Sequence, residues 1–433
     1  SLFFYACGSP RYMLLLVVSL IINTALGYAM GRLRERRTLA FSLLILGIVF
    51  QGGALVYYKY FDFAASMMSG GIQASLEADN LLLPLGLSFY TFKAISYLAD
   101  VYQGKTEGNA PLTAMVYLSF FGQIQSGPLS RYDTFASAKG GINRELRSWG
   151  VIRFMTGFGK KIILANVLSN IVTEVFDTAQ ELSTPLAWLG AVCFSLQLYY
   201  DFSGYSDMAI GISGMFGYEC PENFRYPYTT RSIGEFWRRW HITLGAWFRD
   251  YIYIPMGGSR AGKARLYLNL LAVWLLTGLW HGANWNFVVW GLGYFVLIAF
   301  EKATGIPNRL KTSAGKNMYR IFALLFINFQ WVLFRSASLQ KGLDFMKVML
   351  VPTRSESAAG RAGFLLQDYL VFLVAAVLFA MPVVPACRRL VSRRRRIEGC
   401  YYVLSVAGLC VMFLIALSFA VSGQNNPFLY ANF

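Results

Sequence analysis

Long apolar runs recur from one end of this 433-residue chain to the other. They leave few folds open. A helix that spans a bilayer needs about 20 predominantly apolar residues. Candidate segments fall at 12–30, 39–58, 81–99, 111–124, 151–173, 185–200, 266–280, 285–300, 319–334, 369–384 and 401–421. Several are short or carry charge, as tilted, half-spanning or re-entrant helices do where protein or a water-filled cavity surrounds them. Of all residues, 56% are hydrophobic and 14% charged, against roughly 25% charged in an ordinary soluble domain. The expected fold is an all-α polytopic membrane protein, a single domain over 1–433 with about ten or eleven elements entering the membrane. No internal repeat and no long linker divides it.

The net charge is +17, from 39 Lys and Arg against 22 Asp and Glu. The cations gather in short loops between apolar runs, as the positive-inside rule expects. They do not form a recognisable nucleic-acid module, so no nucleic-acid partner is expected. Two basic knots set the orientation: Arg32, Arg34, Arg36 and Arg37, and then Arg388, Arg389 and Arg393 to Arg396. With both on the cytoplasmic side, the last span carries residues 422–433 to the outer side. A third basic region, 225–265, interleaves arginines with Trp237, Trp240 and Trp247. It reads as amphipathic helices lying at the cytoplasmic interface. The six cysteines show no paired spacing, so neither a disulfide framework nor a zinc site is expected. The chain opens on Ser1 without a methionine, and an upstream piece is expected.

There are two histidines, His241 and His281. Between 266 and 300, His281 is the only ionisable side chain besides Tyr267 and Tyr294. An ionisable group at membrane depth is costly and functional by default. Its Trp-rich surroundings favour the neutral imidazole, the form that a general base requires. A buried histidine that only bonds a carbonyl between helices fits the same residues, and both readings stay open. His241 closes the run Phe236-Trp237-Arg238-Arg239-Trp240-His241. On a continuous helix Trp237 and His241 would share a face, and the arginines could meet an anion. The plainer alternative is an interface helix holding lipid headgroups. Asp201 and Asp207 lie six positions apart, a poor match to one helix face, and partnering with arginines is expected. Histidines forty positions apart have no usual metal-ligand spacing, so no metal and no bound cofactor are expected. Gly257-Gly258 reads as a turn. The final run, Pro427 to Phe433, holds three aromatics. It is either an interfacial anchor or, through Tyr430, a covalent acyl acceptor.

Two stretches resemble the membrane-bound O-acyltransferase family, in its bacterial polysaccharide O-acetylation branch. They run from Gln197 to Arg260, with RRWH, and from Leu268 to Leu292, with LWHGANW. Weaker matches lie at 83–104 and in SGPLSRY at 126–132. The resemblance implies a ring of tilted and re-entrant helices with a thin centre, where an outer funnel nearly meets a cytoplasmic donor tunnel. It implies that His281 is the catalytic base and His241 a second important residue of the same tunnel. Trp237, Arg238, Arg239, Trp280 and Asn284 become candidates for donor and substrate binding. Phe428-Leu429-Tyr430-Ala431-Asn432-Phe433 matches an acyl-accepting tail, with Tyr430 as carrier. The implied donor is acetyl-CoA, and the implied partner is an extracytoplasmic SGNH-type transferase that acylates the polymer. Three rivals remain: a D-alanyl transferase fed by a carrier-protein thioester, a transporter, and a non-catalytic scaffold.

Overall fold

The computed structural model describes residues 1–61, 63, 83–138, 143–179, 181–260, 262–353, 355–392, 395–422 and 428–429. All regular structure among them is helical. Five helices are long and apolar enough to cross a bilayer: Pro10–Arg32, Arg37–Tyr60, Trp285–Thr304, Ser313–Arg335 and Glu398–Val421. Ala358–Asp368 and Leu370–Phe379 add a sixth if their 68° bend is read as one broken span. Each expected apolar segment contains helix, but 83–86, 120–124 and 380–382 are turns or irregular backbone, and about half of the segments fall short of a continuous apolar span. They carry polar or charged groups, and those groups are buried in protein.

The helices that build the centre are α1 (Met13–Arg32), α2 (Arg37–Leu55), α3 (Leu87–Tyr102), α4 (Arg144–Gly159) and α5 (Thr184–Met215). Next come α6 (Ile233–Trp237), α7 (Ile242–Phe248), α8 (Lys263–His281) and α9 (Trp285–Thr304). α10 (Ser313–Arg335) and α11 (Arg395–Val421) complete the set. Helix α3 is buried on all sides because it separates two cores. Leu87, Tyr90, Ala94, Tyr97 and Leu98 pack with α1 and α2, while Phe89 and Phe92 face α7 and α8. By contrast, α11 leaves Tyr402, Val403, Leu404, Val411 and Leu414 exposed, as a lipid-facing helix should.

Helices α4 and α5 approach closely through glycines. Gly150 and Gly157 lie two turns apart on α4, and Gly204 and Gly211 do the same on α5. A Cβ on Gly157 would sit 2.5 Å from the Gly204 carbonyl oxygen, and one on Gly211 would sit 2.6 Å from that of Gly150. Small residues let membrane helices pack backbone to backbone. Here the approach also brings cations to both aspartates. Asp207 accepts from Arg153 at 2.9 Å and from Lys160 at 2.7 Å. Asp201 pairs with Lys161. The carboxylates therefore have basic partners, but two are lysines of the π-helical turn Lys160–Ala165 that follows α4.

The region 225–265 differs from its expectation. Trp240 and Trp247 are 1% and 6% exposed, whereas Arg225, Arg231, Arg238, Arg249 and Arg260 face outward. The tryptophans fill the core while the arginines stay exposed, so the apolar side of this segment packs into the helix bundle. Of the second basic knot, Arg393 and Arg394 fall outside the described residues.

Gly204→Leu would force α5 off α4 and pull Lys160 and Lys161 from their carboxylates. We expect a loss of about 1–3 kcal/mol from overpacking alone, read as a lower unfolding midpoint of the purified protein. Gly399→Leu, where an added Cβ meets nothing within 4 Å, is expected to leave that midpoint unchanged.

Candidate active site

Helix α6 ends at Trp237, and His241 follows as the N-cap of α7 with φ +44° and ψ +54°. A left-handed conformation is unusual for a residue with a side chain and persists only where its surroundings enforce it. Two backbone bonds do so here. Arg225 N–H donates to the Arg239 carbonyl at 2.9 Å, and Ile242 N–H to that of Asn223 at 3.0 Å. Trp237 and His241 therefore do not share one helix face. The chain turns between them, and each ring goes its own way.

Asn223, which no sequence pattern singled out, fixes the His241 ring. Its Oδ1 lies 3.0 Å from His241 Nδ1 and accepts from the Thr243 hydroxyl at 2.8 Å and the Thr243 backbone N–H at 3.3 Å. Its Nδ2 donates to Ser206 at 3.0 Å. A backbone N–H can only donate, so the atom facing His241 is an acceptor and Nδ1 carries the proton. The basic lone pair of His241 is then on Nε2.

His281 is the last residue of α8. From Lys263 the helix rises about 1.5 Å per residue, so its nineteen residues hold the imidazole roughly 28 Å from the basic start. The last carbonyls of a helix have no partner within it. Here Lys59 donates to the Trp280 carbonyl, and Tyr60 donates to that of Leu279 at 2.8 Å. Both histidines are 2% exposed. The Trp280 ring bridges them, with its centroid 6.1 Å from His241 and 4.7 Å from His281. Trp290 and Phe334 stand edge-on to His281 at 4.9 and 5.0 Å.

The remaining candidates separate. Trp237 packs against Trp274, Trp290 and Tyr294 and so braces the wall behind His281. Arg239 is committed to Glu235 at 2.6 Å and Thr229 at 2.9 Å, while Arg238 is exposed. Asn284 ties its turn to the Ala337 carbonyl at 3.2 Å. Glu301 on α9, also unforeseen, accepts from Ile233 N–H at 2.7 Å, Gly234 N–H at 2.8 Å and the Tyr319 hydroxyl at 2.8 Å. It thereby locks the short α6 to the long helices. Tyr430 lies outside the described residues. The two residues before it are described: Phe428 stacks on Tyr205 at 4.4 Å, and Leu429 N–H donates to Asp201 at 2.9 Å. Phe202 links them to the centre, 6.0 Å from the Phe428 ring and 4.7 Å from that of His241.

A cavity of about 370 Å³ reaches the His241 turn from one face, lined by Ile242, Thr243, Lys93, Ser130, Arg131 and Tyr251 among others. Its volume is within the range of small-molecule sites, roughly 300–1,000 Å³. At its rim Arg131 pairs with Asp250 and donates to Tyr251 at 2.6 Å, and Tyr251 donates to Asp100 at 2.8 Å. Partial burial pushes the Asp250 carboxyl up, but the Arg249 hydrogen bond and the Arg131 charge outweigh it and hold the group below its ordinary range. The rim belongs to the same face as the first basic knot. Asp100 pairs with Lys105 at 3.3 Å, and Arg34 donates to the Gly104 carbonyl at 3.0 Å.

Asn223→Ala would strip His241 and Thr243 of their shared acceptor. Leaving buried donors unsatisfied costs about 1–3 kcal/mol, and a fall in the denaturation free energy of the purified protein in that range is expected. An unchanged value would show that the His241 turn is held without Asn223.

The sequence profile of MBOAT, the membrane-bound O-acyltransferase family, matches residues 110–343. Over 347 residues the chain is 39% identical to a probable alginate O-acetylase AlgI of Pseudomonas syringae pv. tomato. That alignment covers 78% of this chain and 66% of the relative, so the chain spans about two thirds of that protein's length. It is 29% identical to a peptidoglycan O-acetyltransferase of Helicobacter pylori, over the whole of this chain and 90% of the relative. A teichoic acid D-alanyltransferase of Bacillus subtilis is also 29% identical, over 59% of this chain and 68% of the relative. The matched profile includes both histidines, the glycine-packed α5 and the cavity-lining turn, and the chain belongs to the membrane-bound O-acyltransferase family.

Proposed function

We propose that this protein is a membrane O-acetyltransferase that passes an acetyl group from cytoplasmic acetyl-CoA to the opposite side, for O-acetylation of an exported or cell-wall polysaccharide. The observation that carries the reading is the meeting of two approaches. The cavity on the basic face ends at the His241 turn, and residues 428–429 dock one aromatic ring away from the same histidine. The similarity to proteins named for O-acetylation of alginate and of peptidoglycan favours this chemistry over transport or scaffolding.

In this mechanism the acyl-pantetheine arm of the donor enters the cavity past Arg131, while its phosphates remain near the exposed arginines, Arg238 included. Tyr430 follows Leu429 directly and supplies the nucleophile. His281 takes the phenolic proton as that oxygen attacks the thioester carbonyl. The tetrahedral intermediate collapses, the C–S bond breaks, and the proton passes from His281 to the departing thiolate. Coenzyme A returns to the cytoplasm. The acetyl ester on Tyr430 is then attacked by a hydroxyl of an extracytoplasmic SGNH-type partner, which restores the phenol and completes transfer to the polymer. His241, with its proton fixed on Nδ1, presents the Nε2 lone pair toward the aromatic centre, where it accepts a hydrogen bond from an amide N–H of the pantetheine arm and so positions the donor. Two nearby histidines on one path let base and positioning roles be divided.

Purified protein incubated with isotopically labelled acetyl-CoA is expected to carry one labelled acetyl group on Tyr430, found by mass spectrometry of the C-terminal peptide. His281→Ala, shown to be folded, is expected to lower that labelling by at least about a hundredfold, as removal of a general base does, and Tyr430→Phe to abolish it. Labelling that survives in folded His281→Ala would refute the base. Labelling seen only with a D-alanyl carrier-protein thioester would move the protein to the D-alanyl branch.

A further inference from the structure

Asp201 is 1% exposed and sits near the midpoint of the 32-residue helix α5. A carboxylate there is costly unless both oxygens find partners. One oxygen takes Lys161. The other takes a backbone N–H from the far end of the chain, that of Leu429, at 2.9 Å. Beside it, the Phe428 ring is 8% exposed and stacks on Tyr205, one turn along α5 from Asp201, with an interplanar angle of 20°.

We propose that Asp201 and Tyr205 form a releasable receptor for the chain's own residues 428–429, and that Asp201 is a positioning residue which sets the acyl-accepting segment beside His241. The purpose of the receptor rests on the acyl-carrier reading of Tyr430, but the receptor itself does not. Its parts divide the work. The carboxylate recognises backbone, through a charge-assisted bond, and so fixes the depth of the segment whatever its side chains. The Tyr205 face recognises an aromatic ring, and so fixes the register. Release is built in. When the segment leaves, Asp201 keeps Lys161 and no unpaired charge is left behind at membrane depth. A carboxylate held by the tail alone would resist release, because an uncompensated buried charge is strongly unfavourable. Asp207, six residues further along α5, is a contrast: Arg153 and Lys160 occupy both its oxygens, which ties α5 to α4 and the turn after it.

The test is hydrogen exchange of the full-length protein in lipid nanodiscs without donor, read by mass spectrometry on the peptide that covers residues 428–433. Slow exchange is expected in the unmodified protein. Leu429→Pro removes the N–H, with Leu429→Ala as the control for the lost side chain, and Phe428→Ala removes the ring; both substitutions lie outside the helices. Each is expected to speed exchange of the remaining tail amides by about tenfold or more, as loss of a hydrogen bond to a charged group implies, while Leu429→Ala changes it little. Exchange in α4 and α5 is expected to stay unchanged in both variants, as the control for folding. Tail exchange at the rate of an unstructured peptide in the unmodified protein would overturn the proposal. So would unchanged protection in Leu429→Pro and Phe428→Ala. The labelling experiment on Tyr430 reads out separately: a protected tail that never takes an acetyl group keeps the receptor and rejects the carrier, and a labelled but unprotected tail does the reverse.

Discussion

Polar groups placed at membrane depth have no bulk water to satisfy them, so each must find its partner within the protein. Much of this structure follows from that constraint. Asp201 and Asp207 require cations, the cations come from α4 and the turn after it, and they reach only because glycines let α4 and α5 touch. The free carbonyls at the end of α8 require donors, and Lys59 and Tyr60 provide them from the turn after α2. The His241 ring requires an acceptor and finds it in Asn223. Each solution also places a group that the chemistry can use.

The resulting centre is narrow. His241 sits on a strained turn reached by the cavity of the basic face, and His281 ends a helix that begins on that face. Trp280 spans the gap between them. Around these rings lie Phe89, Phe202, Trp290 and Phe334; under the proposed function they exclude water from the place where a thioester meets a hydroxyl other than water's. Under the proposed function, donor and polymer stay on their own sides and only a two-carbon group passes between them.

The helical class, the apolar segments and the two histidines were legible in the sequence because hydropathy and the rarity of ionisable groups inside apolar runs are local signals. Trp237 shows the limit of such signals. Its spacing to His241 suits a continuous helix, but long-range backbone bonds to residues 223 and 225 break the helix between them. The tryptophans of 225–265 read as interfacial for the same reason: an alternation of Arg and Trp marks an amphipathic segment without saying what its apolar face meets. Asn223, Lys59, Glu301 and the bond from Leu429 to Asp201 join residues far apart in the chain. Nothing in the spacing of one partner announces the other. Arginine partners for the aspartates were half right, since electrostatics demanded cations but could not choose between arginine and lysine.

Under the proposed function an acyl group crosses at a fixed centre while coenzyme A does not. The most direct measurement places the protein in one orientation in sealed vesicles, with doubly labelled acetyl-CoA supplied only at the face of the basic knots. The account predicts that the acetyl label appears in the tail peptide released by protease added at the opposite face, and that all the coenzyme A label stays where it was supplied. Coenzyme A recovered on the far side, or acetyl-tail released only from the side of supply, would contradict it.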